Sequence, residues 1–293
     1  MATLRDWVEG ARLRTLPAAI APVLAGTGVA WFEGRFDPLL AGLALVVALA
    51  IQVGANLAND YSDGIRGTDA VRVGPMRLVG SGAASARAVK LAAFGSFAVA
   101  GLVGAVAVAL SGDWWLLAVG LACVVAAWFY TGGKHPYGYF GLGEIFVFVF
   151  FGLVAVCGTV HLQVGALPAA AWWAGVAIGA LTVDILVANN LRDLDGDRAV
   201  GKLTLATRIG DAWTRRLYVA LAVVALAGVF AIAATSTWWA LLGWLLVVPL
   251  ARPVVDVVSG AIGRDLIRVL KHTGFAVLAC AVGLAAGLVI GGL

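Results

Sequence analysis

Two polar clusters interrupt an otherwise apolar chain: Asn59-Asp60-Tyr61-Ser62-Asp63 and Asn190-Leu191-Arg192-Asp193-Leu194-Asp195-Gly196-Asp197. Asn59 and Asp63 are four residues apart, as are Asp193 and Asp197. On a helix that offset stacks side chains on one face, about 5–6 Å apart between β-carbons. Like charges held so close call for a cation. Oxygen donors suit a hard ion such as Mg2+, which takes one or two carboxylates and completes its shell with substrate phosphates. Asn59, Asp63, Asp193 and Asp197 are therefore candidate metal ligands and catalytic residues, with Asp69 a further candidate ligand.

Cations surround both clusters: Arg66, Arg72 and Arg77 after the first, and Arg192, Arg198, Lys202 and Arg208 around the second. Metal ions together with Arg and Lys gather phosphate oxygens. The spacing thus predicts a diphosphate site using Arg66, Arg72, Arg77 and Lys202. Two acidic clusters facing each other would clamp a diphosphate from both sides and neutralise the charge that develops as it leaves. The plain alternative is two solvated helix ends. It serves well for one Asp-x-x-x-Asp, and poorly for two Asn-preceded clusters. Any single arginine in this region is better explained by membrane topology than by ligand binding.

Tyr130 and Lys134 are also four apart. On a helix the phenol and ammonium would share a face, Lys134 reaching diphosphate and Tyr130 stabilising a cation through its ring. An interfacial tyrosine with a snorkelling lysine is the plain alternative. Tyr137 and Tyr139 read as interfacial anchors, and His135, His161 and His272 lack metal or triad spacing. Glu144, Asp184 and Asp256 fall in or near apolar runs, where ionisable groups usually face a bundle interior or a watered cavity. Asp184 is expected to line the same cavity as Asn190. Cys123, Cys157 and Cys280 have no ligand spacing and read as small buried hydrophobes.

The elements that must position these groups follow from composition. The 293 residues are 62% hydrophobic and 12% charged, with a mean hydropathy of +0.99. Soluble domains carry about 25% charged residues; this chain reads as an all-α, polytopic membrane protein. About 20 apolar residues cross a bilayer as a helix. The runs at 16–32, 38–58, 88–110, 114–131, 142–160, 169–190, 214–234, 238–256 and 273–292 give nine expected spans. Asp6 and Glu9 in the first fourteen residues argue against a cleaved signal peptide.

With the N-terminus inside, nineteen of the twenty Lys and Arg residues fall on the cytoplasmic side, Arg35 alone outside. Trp31, Trp114, Trp115, Trp172, Trp173, Trp238 and Trp239 then fall at outer helix ends, as an aromatic belt requires. Both acidic clusters lie on the cytoplasmic side, each opening a long polar loop. The basic excess of +4 reflects this topology and does not point to nucleic acid. The whole chain, 1–293, is expected to form a single transmembrane domain in the cell membrane, in contact with lipid.

These residues resemble the UbiA superfamily of intramembrane aromatic prenyltransferases over essentially the whole chain. Its Asn-Asp-x-x-Asp pattern appears as Asn59 to Asp63, its Asp-x-x-x-Asp pattern as Asp193 to Asp197, and its Tyr-x-x-x-Lys element as Tyr130 and Lys134. Many members carry an aspartate four residues after the first motif; here that position is Gly67, and Asp69 follows two residues later. Asn-Asp-Tyr-x-Asp followed by Gly67-Thr68-Asp69, with Arg12-Leu13-Arg14-Thr15-Leu16-Pro17 and Gly74-Pro75-x-Arg77-Leu78-Val79-Gly80-Ser81, is similar to actinobacterial members of the 1,4-dihydroxy-2-naphthoate prenyltransferase branch.

The resemblance implies nine helices around a central cavity that opens laterally to lipid. It also implies Mg2+ bridging both motifs and a polyprenyl diphosphate. The donor would ionise to an allylic cation, attacked by 1,4-dihydroxy-2-naphthoate at the carboxylate-bearing carbon with loss of CO2, giving demethylmenaquinone. Arg14, at the inner mouth of the first span, with Tyr130 and Asn190, would hold the acceptor. Residue chemistry alone reaches the metal–diphosphate clamp; the acceptor comes from the resemblance. Other acceptors, such as 4-hydroxybenzoate, a haem or a chlorophyll precursor, remain open. So does transport of an anionic lipid, although clusters at helix ends favour an enzyme mouth.

Overall fold

The computed structural model describes residues 2–67 and 77–293, and every regular element among them is helical. Asp69 and Arg72 lie outside the described residues. A short amphipathic helix, α1 (Leu4–Gly10), opens with a Thr3/Asp6 capping box. A single turn (Leu13–Thr15) bends the chain by 50° into α2 (Pro17–Phe32). Next comes α3 (Pro38–Arg66), N-capped by Asp37 and stopped by Gly67 at φ +71°. After it run α4 (Ala86–Ser111), α5 (Leu116–Phe129), α6 (Gly143–Val164) and α7 (Ala169–Arg192). The short α8 (Leu194–Ala199) leads to α9 (Leu205–Thr235), kinked at Gly210, then α10 (Trp238–Val258) and α11 (Asp265–Gly291).

Each of the nine predicted apolar runs coincides with a helix. Among the described residues, seven helices are long and apolar enough to cross a membrane, and the bent α1–α2 pair, taken as one span, makes an eighth; α5, at 14 residues, falls short. Several helices outrun the apolar stretch that predicts them: α3 runs on to Arg66, while α9 and α11 begin at Leu205 and Asp265. A helix satisfies its own backbone bonds, so it need not stop where the hydrophobic sequence stops.

The bundle has a solid half and a hollow half. In the solid half α7 is central, packed against α2, α9 and α11 through fully buried Ala171, Ala174, Ala177 and Ala180. Lipid supplies no hydrophobic drive between helices, so small residues that admit close backbone approach make these contacts. The other half, α3 to α6 with one face of α2, surrounds a cavity of about 630 Å3. Asn59, Tyr130, Glu144 and Asn190 stand at one end of the bundle, at the ends of α3, α5, α6 and α7. Exposed Trp114, Trp115, Trp172, Trp173, Trp238 and Trp239 stand at the other.

Candidate active site

The site is assembled on α3. Because α3 continues unbroken through the first motif, Gln52, Asn56, Asn59 and Asp63 follow one another on one face, three or four residues apart. The first three line the cavity. Gln52 Nε2 and Asn56 Nδ2 donate to Thr15 Oγ1 at 2.8 and 2.9 Å, and Asn56 Nδ2 also donates to the Ala11 carbonyl at 3.0 Å. These bonds tie the turn before α2 over the cavity mouth. Asn59 Oδ1 accepts a 2.7 Å bond from Thr131 Oγ1. Asp60 faces away and accepts from the Leu78 and Val79 N–H groups at 2.8 and 3.0 Å, anchoring the chain where it returns from its loop.

Asp63, buried, pairs with Arg77 Nη2 at 3.3 Å and accepts a 2.8 Å bond from Tyr139 Oη. Arg66 donates to the Thr131 and Gly133 carbonyls and lies 5.4 Å from the Tyr139 ring centre. Lys202 lies 5.1 Å from the same ring and 3.6 Å from Asp197 Oδ1. Tyr139 therefore joins the loop of the first motif to that of the second. This bridging place differs from the interfacial anchor that the sequence predicts, since nothing local distinguishes a bridging tyrosine from an interfacial one. Tyr137 is likewise no surface anchor: its ring stacks on Phe146 at 3.9 Å and its hydroxyl donates to the Ala126 carbonyl at 2.7 Å. Burial pushes the Tyr137 phenol above its ordinary range, so it stays a donor.

The second cluster is not one helical face. α7 stops at Arg192, and Asp193 is the joint between α7 and α8. Arg192 grips Asp193 bidentately, Nε–Oδ1 and Nη2–Oδ2 both at 2.7 Å, and Nη2 reaches Asn189 Oδ1 at 2.8 Å. Asp197, on α8, is held beside Lys202. Asn190 donates from Nδ2 to Glu144 Oε1 at 2.9 Å, a buried pair linking α7 to the start of α6. A β-carbon on Gly143 would lie 3.3 Å from the Tyr130 hydroxyl, so Tyr130 packs against this same end of α6.

The shared helical face of Tyr130 and Lys134 and the cavity place of Asp184 are corrected. Tyr130 and Lys134 share no helical face, because α5 ends at Phe129 and Gly133 turns at φ +78°; Lys134 is exposed. Arg14 is exposed, whereas Arg12, at φ +54° the sole non-glycine with positive φ among the described residues, turns a buried Nη2 inward near Asp60. No sequence signal favours one of these two arginines. Asp184 does not line the cavity. It is fully buried in the solid half, both carboxylate oxygens without a hydrogen-bond partner among the described residues. Asp256 is accounted for by its 2.8 Å pair with Arg252.

The mouth can receive a divalent cation with a diphosphate. Its donors are carboxylate and amide oxygens, and Asp63 and Asp197 are only 5% and 8% exposed. Among the described residues no three acidic or His/Cys groups converge as a ready-made metal cage. Mg2+ is commonly held by one or two carboxylates and the substrate's own phosphates. Below the mouth, α2 to α6 offer an apolar chamber ringed by Tyr130, Tyr137, Phe146 and Phe150.

Known proteins share this fold. The UbiA prenyltransferase family model matches residues 19–259. The chain is 51% identical over 295 residues to 1,4-dihydroxy-2-naphthoate octaprenyltransferase of Mycobacterium tuberculosis, covering 100% of both chains. It is 39% identical to the Escherichia coli protein of that name, over 85% of this chain and 84% of the other. The fold matches the apo structure of a UbiA homolog from Aeropyrum pernix (TM-score 0.67, 17% identity, 99% of each chain). It also matches a UbiA homolog from Archaeoglobus fulgidus bound to DMAPP and Mg2+ (TM-score 0.64, 13% identity, 93% and 98% covered). With the family model spanning most of its length and a relative identical at half of all positions, this chain belongs to the UbiA prenyltransferase family.

Proposed function

We propose that this chain transfers a polyprenyl group from a polyprenyl diphosphate to 1,4-dihydroxy-2-naphthoate, releasing diphosphate and CO2 and giving demethylmenaquinone. One observation carries the choice of acceptor: the end-to-end 51% identity to the mycobacterial 1,4-dihydroxy-2-naphthoate octaprenyltransferase. The geometry supports the chemistry, because both acidic clusters flank Tyr139 at the mouth of one apolar cavity.

In this reading the whole chain works as one domain. Asn59 and Asp63 on one side and Asp193 and Asp197 on the other hold Mg2+, with Asp69 a candidate from the loop. When bound, Mg2+ neutralises charge on the departing diphosphate. Arg66, Arg77 and Lys202 bind the diphosphate oxygens, joined by Arg72 and Lys134. The bond from prenyl C1 to the diphosphate oxygen breaks. The Tyr130 face lies beside the developing cation, and the apolar wall keeps water from quenching it. The ring carbon bearing the carboxylate bonds to C1; the carboxylate leaves as CO2, and its electron pair restores the aromatic ring. Asn190 and Arg12, with Arg14 at the mouth, orient the acceptor.

The N-terminus and both polar loops lie in the cytoplasm, with nine membrane crossings in the cell membrane; the distribution of basic residues and the tryptophan belt support this. The test is turnover by purified protein given Mg2+, a polyprenyl diphosphate and 1,4-dihydroxy-2-naphthoate. Prenylated quinone and CO2 in equal amounts, abolished by EDTA and restored by Mg2+, are expected. Folded protein that makes neither product overturns the reading.

A further inference from the structure

The cavity wall on α6 has a property that periodicity alone does not supply. Phe146, Phe150, Val154, Gly158 and Leu162 all line the cavity, each four residues from the last. Along an α-helix positions four apart drift by about 40°, so this series would wind about 160° around α6 and leave the cavity. It stays because Phe148–Val154 is a π turn. A turn holding one extra residue takes back about 100° of that drift. On the opposite face the turn is seated by backbone contact. A β-carbon on Gly152 would lie 2.6 Å from both the Gly175 carbonyl oxygen and Gly179 Cα of α7.

The second observation concerns room. Gly158 on α6, Gly101 on α4 and Gly120 on α5 all line the cavity, and an added β-carbon at any of them meets nothing within 4 Å. Unlike Gly28, Gly283 and Gly287, which abut the backbone of a neighbouring helix, these three border open space. Gly158 lies about 20 Å along α6 from Glu144 at the mouth, by the rise of a helix. A diphosphate held at the mouth places the first isoprene units along the aromatic part of the wall and later units beside Gly158.

We infer that the glycine-seated π turn and these open glycines form the surface that selects the isoprenoid by length. The π turn keeps α6 facing the chain along its whole length, and Gly158, Gly101 and Gly120 leave the space that the distal units occupy. This deepens the proposed function and rests on it for the donor's identity. Nothing in the clamp chemistry requires it. A donor of two units ends before Gly158, whereas a donor of six units must pass it.

The experiment measures affinity, without acceptor, of geranyl diphosphate and of all-trans hexaprenyl diphosphate for the full chain in detergent with Mg2+. Gly158→Leu and Gly101→Leu are each expected to weaken the six-unit donor at least about tenfold relative to the two-unit donor, the scale of hydrophobic size discrimination. Gly42→Leu is the control: its glycine is exposed, off the cavity, and equally free of contacts. An unchanged ratio in both cavity variants, or an equal change in the control, overturns the inference. Turnover of the wild-type chain with 1,4-dihydroxy-2-naphthoate is scored separately. Loss of the acceptor reading therefore shows as absent product with intact donor affinity, whereas loss of this inference shows only in the ratio.

Discussion

The two halves of the bundle are built from the same few residue types and do opposite things with them. Of the most apolar stretch of α7, 72% is buried, against 17% in α3. In the solid half a glycine marks a place already full. A β-carbon on Gly28 would lie 2.7 Å from Ala285 Cα, and on Gly283 or Gly287 it would collide with the carbonyls of Leu242 and Trp239. In the hollow half Gly101, Gly120 and Gly158 face empty space. Composition is thus a poor guide to role in a membrane bundle: the same missing side chain is a packing device at Gly28, Gly283 and Gly287 and borders open cavity at Gly101, Gly120 and Gly158.

If this contrast holds, substitutions in the hollow half remove activity from a folded protein, while those in the solid half remove the fold. The largest effect is expected at the mouth. Asp63→Asn should lower kcat by about 10²–10³-fold, the scale for losing one electrostatic stabiliser, and detergent melting should show the protein still folded. Unfolding of this variant would break the comparison, because Asp63 would then be holding the bundle through Arg77 and Tyr139. Next, Gly287→Val should cost roughly 1–3 kcal/mol or more of stability by overpacking, read as a lower melting temperature. Turnover per folded molecule should be unchanged; a selective loss of turnover would put the solid half in the chemistry.

Tyr139→Phe sharpens the picture between the halves' loops. It removes the hydroxyl bond to Asp63 and keeps the ring beside Arg66 and Lys202. A bond to a charged group contributes about 1.5–3 kcal/mol, so a fall in kcat/KM of roughly 10- to 100-fold is expected, measured at saturating Mg2+. Full activity would make Tyr139 a bystander. The smallest effect belongs to Asp184, buried without a hydrogen-bond partner among the described residues. An unsatisfied buried polar group costs stability, so Asp184→Leu should leave turnover intact and raise the melting temperature slightly. A clear loss of either would show that this carboxylate has a function in the solid half.

Much of the site was legible before the fold. Asn59 and Asp63 needed only helical spacing, and α3 supplies an unbroken helix there. Asp193 and Asp197 were legible as a pair, but not in their geometry, because the helix breaks at Asp193 itself, with no glycine or proline there to announce it. Tyr130 and Lys134 went astray for the converse reason. The four-residue spacing suggests one helical face, but α5 ends at Phe129 and the Gly132-Gly133 pair turns the chain there. Tyr139 and Arg12 had no local signal, since each takes its place from partners distant in sequence: Asp63 is 76 residues from Tyr139.

Sequence by itself determined the class of the protein, the apolar helices, the two motifs and the cations around them. These follow from local hydropathy and spacing, and a bilayer leaves an apolar segment few choices besides a helix. Tertiary structure decided which face of each helix met a neighbour and which met the cavity. One residue turns a helix by about 100°, so a single break at Asp193 or one extra residue in the π turn of α6 redirects every side chain beyond it. No local pattern records where the helix on the other side will be.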